Sequence, residues 1–437
     1  RDVKNNQGQR MTAEIAIMNR TAVVLAADSA VTVTSWKDGR QERRYFKGAN
    51  KLYELARSGP VGLMIYGSAG LQGVPWELPI KAFRESLGKE QYDNLKTYPE
   101  RFFEFIQHND KFFSDEAKDK ALVSLIGAAH FRLQMLVANH AGVEDIEGLA
   151  EKSNAEIETA LTLTEEEIDA LPLPDLLTEA DIANATAKTS AVLTEEAPTS
   201  VLLFIQSDSR GYLIPRFIVA LVKLAVKEFL NFADETGVVV AGYGKEEYFP
   251  SLEVYVCYGL LGDRLIFKRN EPRVMDANSP AVIQPFATTH MIDTFRMGVA
   301  PDVLGNTYGS TQQALTDLGR RVIAECGAQS PLTEERLAEL VGAAHQEHTD
   351  RWYQEIRNQH VFPLSNIIHS LPLPDMAALA KSLIELESLK ERVTKPSESV
   401  SGPIDVAVIS KHDGFVWIDR KHYFRPELNP RFFNRAD

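Results

Sequence analysis

The sequence predicts an α+β protein, a four-layer αββα sandwich of two antiparallel sheets between two helical layers, on three observations. Strand patterns gather in three separate stretches, residues 12–68, 238–268 and 404–420. Helical patterns fill the two intervals between them. The strand candidate Thr21–Ala27 is apolar enough to be buried on both faces, so its sheet needs cover on each side. At 437 residues, 44% hydrophobic and 25% charged, the chain can bury a sizeable core. No internal repeat is visible.

In chain order, Thr12-Ala-Glu-Ile-Ala-Ile-Met18 alternates apolar and other residues and reads as a first strand. Asn19-Arg20 is a turn signal, and Thr21–Ala27 is the second strand. A meander is expected to follow: Ala30–Trp36, a turn at Lys37-Asp-Gly39, Lys51–Leu55, then Val61–Tyr66 ending in Gly67-Ser-Ala-Gly70. Helices are expected from Trp76 to about Phe232, the last being the apolar run Phe217–Phe232. Val238–Gly242, Leu252–Cys257 and Arg264–Lys268 form the second strand set. A second helical block runs from about Thr289 to Arg392, with breaks around Pro363 and at Pro372 and Pro374. The hairpin Ile404–Ser410, Lys411-His-Asp-Gly414, Phe415–Arg420 closes the order.

Charge and cysteine content narrow the function classes. A net charge of −14 disfavours nucleic-acid binding, which needs clustered Lys and Arg for phosphate contacts. Residues 142–200 hold fifteen acidic side chains against Lys152 and Lys188, nearly the whole imbalance, and read as an acidic surface insertion of short helices broken at Leu171-Pro-Leu-Pro174. Cys257 and Cys326 are too few for a disulfide framework and have no zinc-like spacing, which fits a reduced compartment. No run approaches the roughly 18 consecutive apolar residues of a membrane span, so a cytoplasmic location without membrane contact is expected. No motif points to a cofactor or a metal: His345-Gln-Glu-His348 is not HExxH, and neither Gly242-Tyr-Gly244 nor Gly67–Gly73 makes a phosphate-binding loop.

The residues with the clearest chemistry begin at Met11-Thr12. Removal of a methionine before a small residue would expose Thr12 with a free α-amine beside its hydroxyl. An α-amine has a reference pKa of about 7.7 to 8.0 and can take the hydroxyl proton near neutrality, a recognised way to activate a threonine nucleophile. On Met-Thr alone, an ordinary edge strand is the favoured reading of the residue. Asp28 sixteen residues on, Lys51 opening Lys51-Leu-Tyr-Glu-Leu55, the turn Tyr66-Gly-Ser-Ala-Gly70 and the remote Glu398-Ser-Val-Ser401-Gly402 before a strand and Asp413-Gly414 change that balance.

In this order, those motifs resemble the proteasome β-subunit family of N-terminal-nucleophile (Ntn) hydrolases, as a divergent bacterial-type member with large helical insertions. The Thr12 to Asp28 separation matches without a gap, and the likeness covers a little over half the chain. It implies residues 1–11 as an upstream or removable segment and 12–437 as one Ntn-hydrolase domain with insertions at about 88–200 and 303–363. It also implies Thr12 as nucleophile, Asp28 and Lys51 as its charged partners, Gly67 as oxyanion donor, and Glu398 and Ser401 as groups orienting the amine. Val31, Thr32, Ala49, Tyr53, Ile65 and Ala69 fall at the family's substrate-pocket positions, which are mostly apolar. Glu398 stands where the family usually has Asp, and Thr288 is the nearest counterpart of a further family serine.

The implied activity is that of a threonine-type endopeptidase acting through a Thr12 acyl-enzyme on peptide or protein substrates. A homo-oligomeric ring and an unfoldase partner of unknown identity accompany that expectation, with neither metal nor cofactor. An Ntn amidohydrolase acting on a small amide and a non-catalytic scaffold subunit are the alternatives.

Overall fold

The computed structural model describes residues 12–37, 40–196, 208–276, 281–327, 333–394, 400 and 402–433. Its strands begin with the hairpin β1 (Ala13–Asn19) and β2 (Ala22–Ala27), closed by Asn19, whose Oδ1 accepts from the N–H groups of Thr21 and Ala22. β3 (Val31–Lys37) and β4 (Arg40–Phe46) follow, then β5 (Leu52–Ala56), β6 (Val61–Gly67) and the short pair β7 (Gly70–Leu71) and β8 (Val74–Pro75). Seven helices come next: α1 (Glu77–Leu87), α2 (Thr97–Gln107), α3 (Asp115–His140), α4 (Asn154–Ala170), α5 (Glu179–Glu196), α6 (Ile214–Lys227) and α7 (Phe229–Phe232). The second strand set is β9 (Thr236–Gly242), β10 (Ser251–Leu261), β11 (Arg264–Arg269), β12 (Arg273–Val274) and β13 (Ala281–Ala287). α8 (His290–Met297), α9 (Pro301–Cys326), α10 (Glu334–Ile356), α11 (Phe362–Ser370) and α12 (Leu373–Thr394) lead to β14 (Asp405–Ser410), β15 (Gly414–Asp419) and α13 (Pro430–Phe433).

The chain is a mixed α and β protein with antiparallel sheets. One sheet has the order β13-β1-β2-β14-β15; the other runs β11-β10-β9-β6-β5 with β12 on β10. The expected meander is corrected, because its strands are divided among three sheets: β1 and β2 in the first, β5 and β6 in the second, and β3 with β4 as a separate ribbon. The turn at Asp38-Gly39 lies outside the described residues. Beyond the short β7, β8 and β12, two strands have no clear sequence signal. β4, Arg-Gln-Glu-Arg-Arg-Tyr-Phe, has no apolar alternation. β13 contains Pro285, which reads as a strand breaker but is tolerated here because β13 is the edge of its sheet.

Side-chain alternation along the central strands fills three apolar clusters. Ala16 and Met18 of β1 and Val23 and Leu25 of β2 meet Met64, Val239 and Ala241 of the other sheet, so the two sheets pack face to face. The opposite side of β1 and β2 (Ile15, Ile17, Val24) packs on Met376, Ala380 and Ile384 of α12. The far side of the second sheet (Leu55, Leu63, Val240) packs on Ile80, Phe102 and Phe103 of α1 and α2. Burial on both faces explains why β2 and β9 read as continuous apolar runs.

The helices between β8 and β9 build a further core from Leu133 and Val137 of α3, Leu161 and Ile168 of α4, and Leu221 and Leu224 of α6. The acidic segment is therefore more than a surface decoration. Glu165 pairs with Arg216, Asp169 with Lys223, and Asp181 with Arg264, so cations on α6 and β11 neutralise part of it. α3 is long and apolar enough, by length and composition, to cross a membrane, but its Leu122, Ile126, Leu133 and Val137 enter this intramolecular core. The break expected near Pro363 is corrected: Pro363 lies in the first turn of α11, which a π-helical turn over 357–361 joins to α10.

One glycine ties the sheets together. Gly237 of β9 lies opposite Tyr66 of β6, whose ring stacks on Phe286 of β13 across the sheets at a centroid distance of 5.2 Å. A Cβ on Gly237 would lie 1.9 Å from the Tyr66 ring. Gly237→Ala is expected to destabilise the protein by about 1–3 kcal/mol, read as a lower urea midpoint at unchanged m-value.

Candidate active site

Thr12 immediately precedes β1 and shares the strand face of Glu14, Ala16 and Met18, the face turned toward the second sheet. Pairing of β1 with β2 carries Asp28 back beside it: the Asp28 N–H donates to the Ala13 carbonyl at 3.1 Å, and the Ala13 N–H donates to Asp28 Oδ1 at 3.2 Å. The Ala30 N–H donates to the other carboxylate oxygen at 3.3 Å. Lys51 comes from the second sheet. The Ala49 N–H donates to the Ser29 carbonyl, and Ile65 of β6 donates to the Lys51 carbonyl at 2.9 Å, which fixes the chain on both sides of the ammonium.

Lys51 Nζ donates to Asp28 Oδ1 and lies 3.0 Å from Glu14 Oε1. Glu14 Oε2 accepts the Thr12 hydroxyl at 3.2 Å. Thr12, Glu14, Asp28 and Lys51 are all buried, with Glu14 at 0% exposure and Asp28 at 1%. Thr12, Asp28 and Lys51 thus belong to one buried cluster, with Glu14 between the hydroxyl and the ammonium. Sequence order alone does not single out Glu14. Its signal was present as a carboxylate two residues from Thr12, hence on the same strand face, in a segment otherwise buried on both sides.

One cation here serves two carboxylates. Asp28 has Lys51 and two backbone N–H donors, whereas Glu14 has the Thr12 hydroxyl on Oε2, the Lys51 ammonium at Oε1 and no backbone donor among the described residues. Burial pushes the Glu14 carboxyl up to about 7; Lys51 opposes that shift and the negative charge of Asp28 adds to it. Burial alone would lower Lys51, but Glu14 and Asp28 outweigh it and raise the ammonium above its ordinary value. Lys51 thus stays charged and acts as a fixed positive centre, while Glu14 is the group poised to change state near neutrality.

Other elements close in on the threonine. The Thr288 N–H donates to the Thr12 carbonyl at 2.9 Å, placed there by Ala287, whose φ of 55° turns the chain sharply out of β13. Buried Glu387 of α12 accepts from the N–H groups of Met291 and Ile292 and fixes the first turn of α8 just beyond that bend. Gly67 ends β6 two residues past the Lys51 contact, exposed, with φ of 84°; a Cβ there would lie 2.8 Å from the Glu235 carbonyl.

The remaining expected residues divide. Glu398 and Ser401 lie outside the described residues, and so does the segment 1–11. Nearby, the Ser29 hydroxyl donates to the Pro403 carbonyl, which anchors the entry to β14 beside Asp28. Of the pocket positions, Val31 and Ala49 are half-buried and Ala69 is exposed, whereas Thr32 is described in its backbone alone, on β3. Tyr53 and Ile65 are buried beneath α1 and α2. Their side chains lie on the helix-covered face of the second sheet. His345 is structural: its ring packs against Tyr308 and lies 2.9 Å from the Tyr308 carbonyl. Among the described residues, no group of three His, Cys, Asp or Glu side chains could hold a metal ion.

No protein-family model matches the chain, and no curated protein matches it. The geometry of the cluster is what bears on its chemistry.

A carboxyl at about 7 in the folded state, against an ordinary 4.5, binds its proton more tightly folded than unfolded. Its contribution to stability is full below about pH 4.5 and is lost as pH rises through 7, a difference of about 3 kcal/mol. Glu14→Gln, which cannot ionise, is expected to remove a drop of that size from the profile of unfolding free energy between pH 5 and 8, measured by urea titration.

Proposed function

We propose that this chain is an N-terminal-nucleophile hydrolase of the proteasome β-subunit type, a four-layer αββα sandwich that cleaves peptide bonds through an ester on Thr12. The observation that carries the reading is the convergence of Thr12, Asp28 and Lys51, linked through Glu14, in one buried cluster in the order the resemblance implies. The face-to-face sheets with helices packed on each outer side support the same reading.

In this reading Thr12 Oγ1 attacks the carbonyl carbon of the scissile bond. Lys51 and a backbone N–H at Gly67 stabilise the negative charge that develops, a preorganised donor of that kind being worth about 3 kcal/mol or more. Collapse of the tetrahedral intermediate releases the amine and leaves an acyl ester on Oγ1, which water then hydrolyses. Removal of Met11 would add a free α-amine next to the hydroxyl. Val31, Ala49 and Ala69 remain the pocket positions at which an apolar side chain of the substrate is held. A homo-oligomeric ring in the cytoplasm, with a peptide or unfolded protein as substrate, belongs to the same proposal.

A second reading, an amidohydrolase on a small amide, draws on one observation: Tyr53 and Ile65 belong to the core and do not widen a groove. Acyl probes of increasing size separate the two.

Intact mass spectrometry after treatment with a threonine-directed epoxyketone is the test. A chain beginning at Thr12 is expected to gain one probe mass, and Thr12→Ala none. Lys51→Met is expected to react at least about 10²-fold more slowly, in line with the loss of one preorganised charge. A folded wild-type chain that ignores the probe would contradict the proposal.

A further inference from the structure

We propose that the Glu14 carboxylate is itself catalytic, taking the proton from Thr12 Oγ1 as the nucleophile attacks and returning it to the leaving group. This rests on the threonine-nucleophile reading and assigns within it a proton carrier carried on the nucleophile's own strand.

Geometry is the foundation. Glu14 Oε2 is the hydrogen-bond acceptor of the Thr12 hydroxyl, with both groups buried and only one residue between them in sequence. Residues i and i+2 of a strand share a face, so β1 holds donor and acceptor side by side without help from a loop. The hydroxyl touches Glu14 on β1, and Glu14 in turn lies against Lys51, before β5, which also pairs with Asp28, after β2. From β13 the neighbour opposite Glu14 is Phe286, and from β2 it is Ala27, neither of which ionises.

Competing bases are poorly placed. Asp28 is engaged by Lys51 and by the N–H groups of Ala13 and Ala30. Lys51 is held charged between two carboxylates and has no lone pair to offer. Glu14 Oε1 is paired with the Lys51 ammonium at 3.0 Å, which keeps the carboxyl oriented and leaves Oε2 to the Thr12 hydroxyl. Its proton affinity, raised by burial to about 7, is matched to transfer in both directions near neutrality.

The step balances within the cluster. The Oγ1–H bond breaks and its proton passes to Glu14 Oε2 while Oγ1 forms a bond to the carbonyl carbon. On collapse the bond from that carbon to the leaving nitrogen breaks, and the proton held by Glu14 goes to that nitrogen. Glu14 ends as carboxylate, ready to activate the water that hydrolyses the ester.

A β-lactone probe tests the assignment, because its ring opens on Oγ1 alone and needs no second bond to an amine. Acylation of the full chain freed at Thr12 is followed by intact mass between pH 5 and 9, with circular dichroism confirming the fold of each variant. The wild-type rate is expected to fall below about pH 7 along a single ionisation. Glu14→Gln is expected to react about 10²-fold more slowly or worse, without that limb. Glu14→Asp keeps a carboxylate and should react at an intermediate rate with a pH limb retained, which covers a glutamine variant that fails to fold. A folded Glu14→Gln, or failing that Glu14→Asp, with wild-type rate and profile would overturn the proposal and leave Thr12 as nucleophile with its amine as base. A folded wild-type protein that takes no label would overturn both.

Discussion

A single buried ammonium shared by two carboxylates is the constraint on which the site depends. Lys51 neutralises one negative charge, and Asp28 and Glu14 both lie against it. Removing a charge pair's partner from a buried site leaves an ion without compensation, at a cost of about 3–5 kcal/mol, so the chain must deliver all three groups together. It does so from different elements: Glu14 from β1, Asp28 from the end of β2, and Lys51 from the entry to β5 in the opposing sheet. The asymmetry of the sharing has a chemical result. Backbone N–H donors side with Asp28 and leave Glu14 as the group whose proton is in play.

That constraint explains features of the fold that lie some way from the threonine. The two sheets must face each other with the right stagger for Lys51 to reach across, and Tyr66 stacked on Phe286 helps set it. Gly237 is the open space that lets the Tyr66 ring lie over β9. On the far side, Glu387 fixes the start of α8, so that the turn after β13 can bring the Thr288 N–H onto the Thr12 carbonyl. The helical segment between β8 and β9 builds an apolar core that also takes in Leu261 and Ile266 of β10 and β11, and part of its acidity is neutralised by Arg216, Lys223 and Arg264.

Much of this was legible in the sequence, for identifiable physical reasons. Strands buried on both faces announce themselves as apolar runs, and β2, β9 and β14 are found where those runs lie. Thr12, Asp28 and Lys51 were legible because their order and spacing are specific. Sheet membership was not, since a run of neighbouring strands says nothing about which of two sheets each one joins. β13 was hidden by Pro285, whose missing N–H matters less at an edge. Glu14 was missed because a glutamate in an alternating strand ordinarily faces water; only the packing of a second sheet against that face shows it buried beside a hydroxyl and an ammonium. Tyr53 and Ile65, pocket positions implied by the resemblance, are buried beneath α1 and α2.

A crystal structure of the β-lactone adduct tests the central claim, that these four side chains form one reacting unit, most directly. The account requires continuous density from Thr12 Oγ1 to the acyl group, with a Glu14 oxygen within hydrogen-bond distance of Oγ1 and Lys51 still between Glu14 and Asp28. An adduct on another residue, or Thr12 acylated with Glu14 turned away from it, would contradict the account.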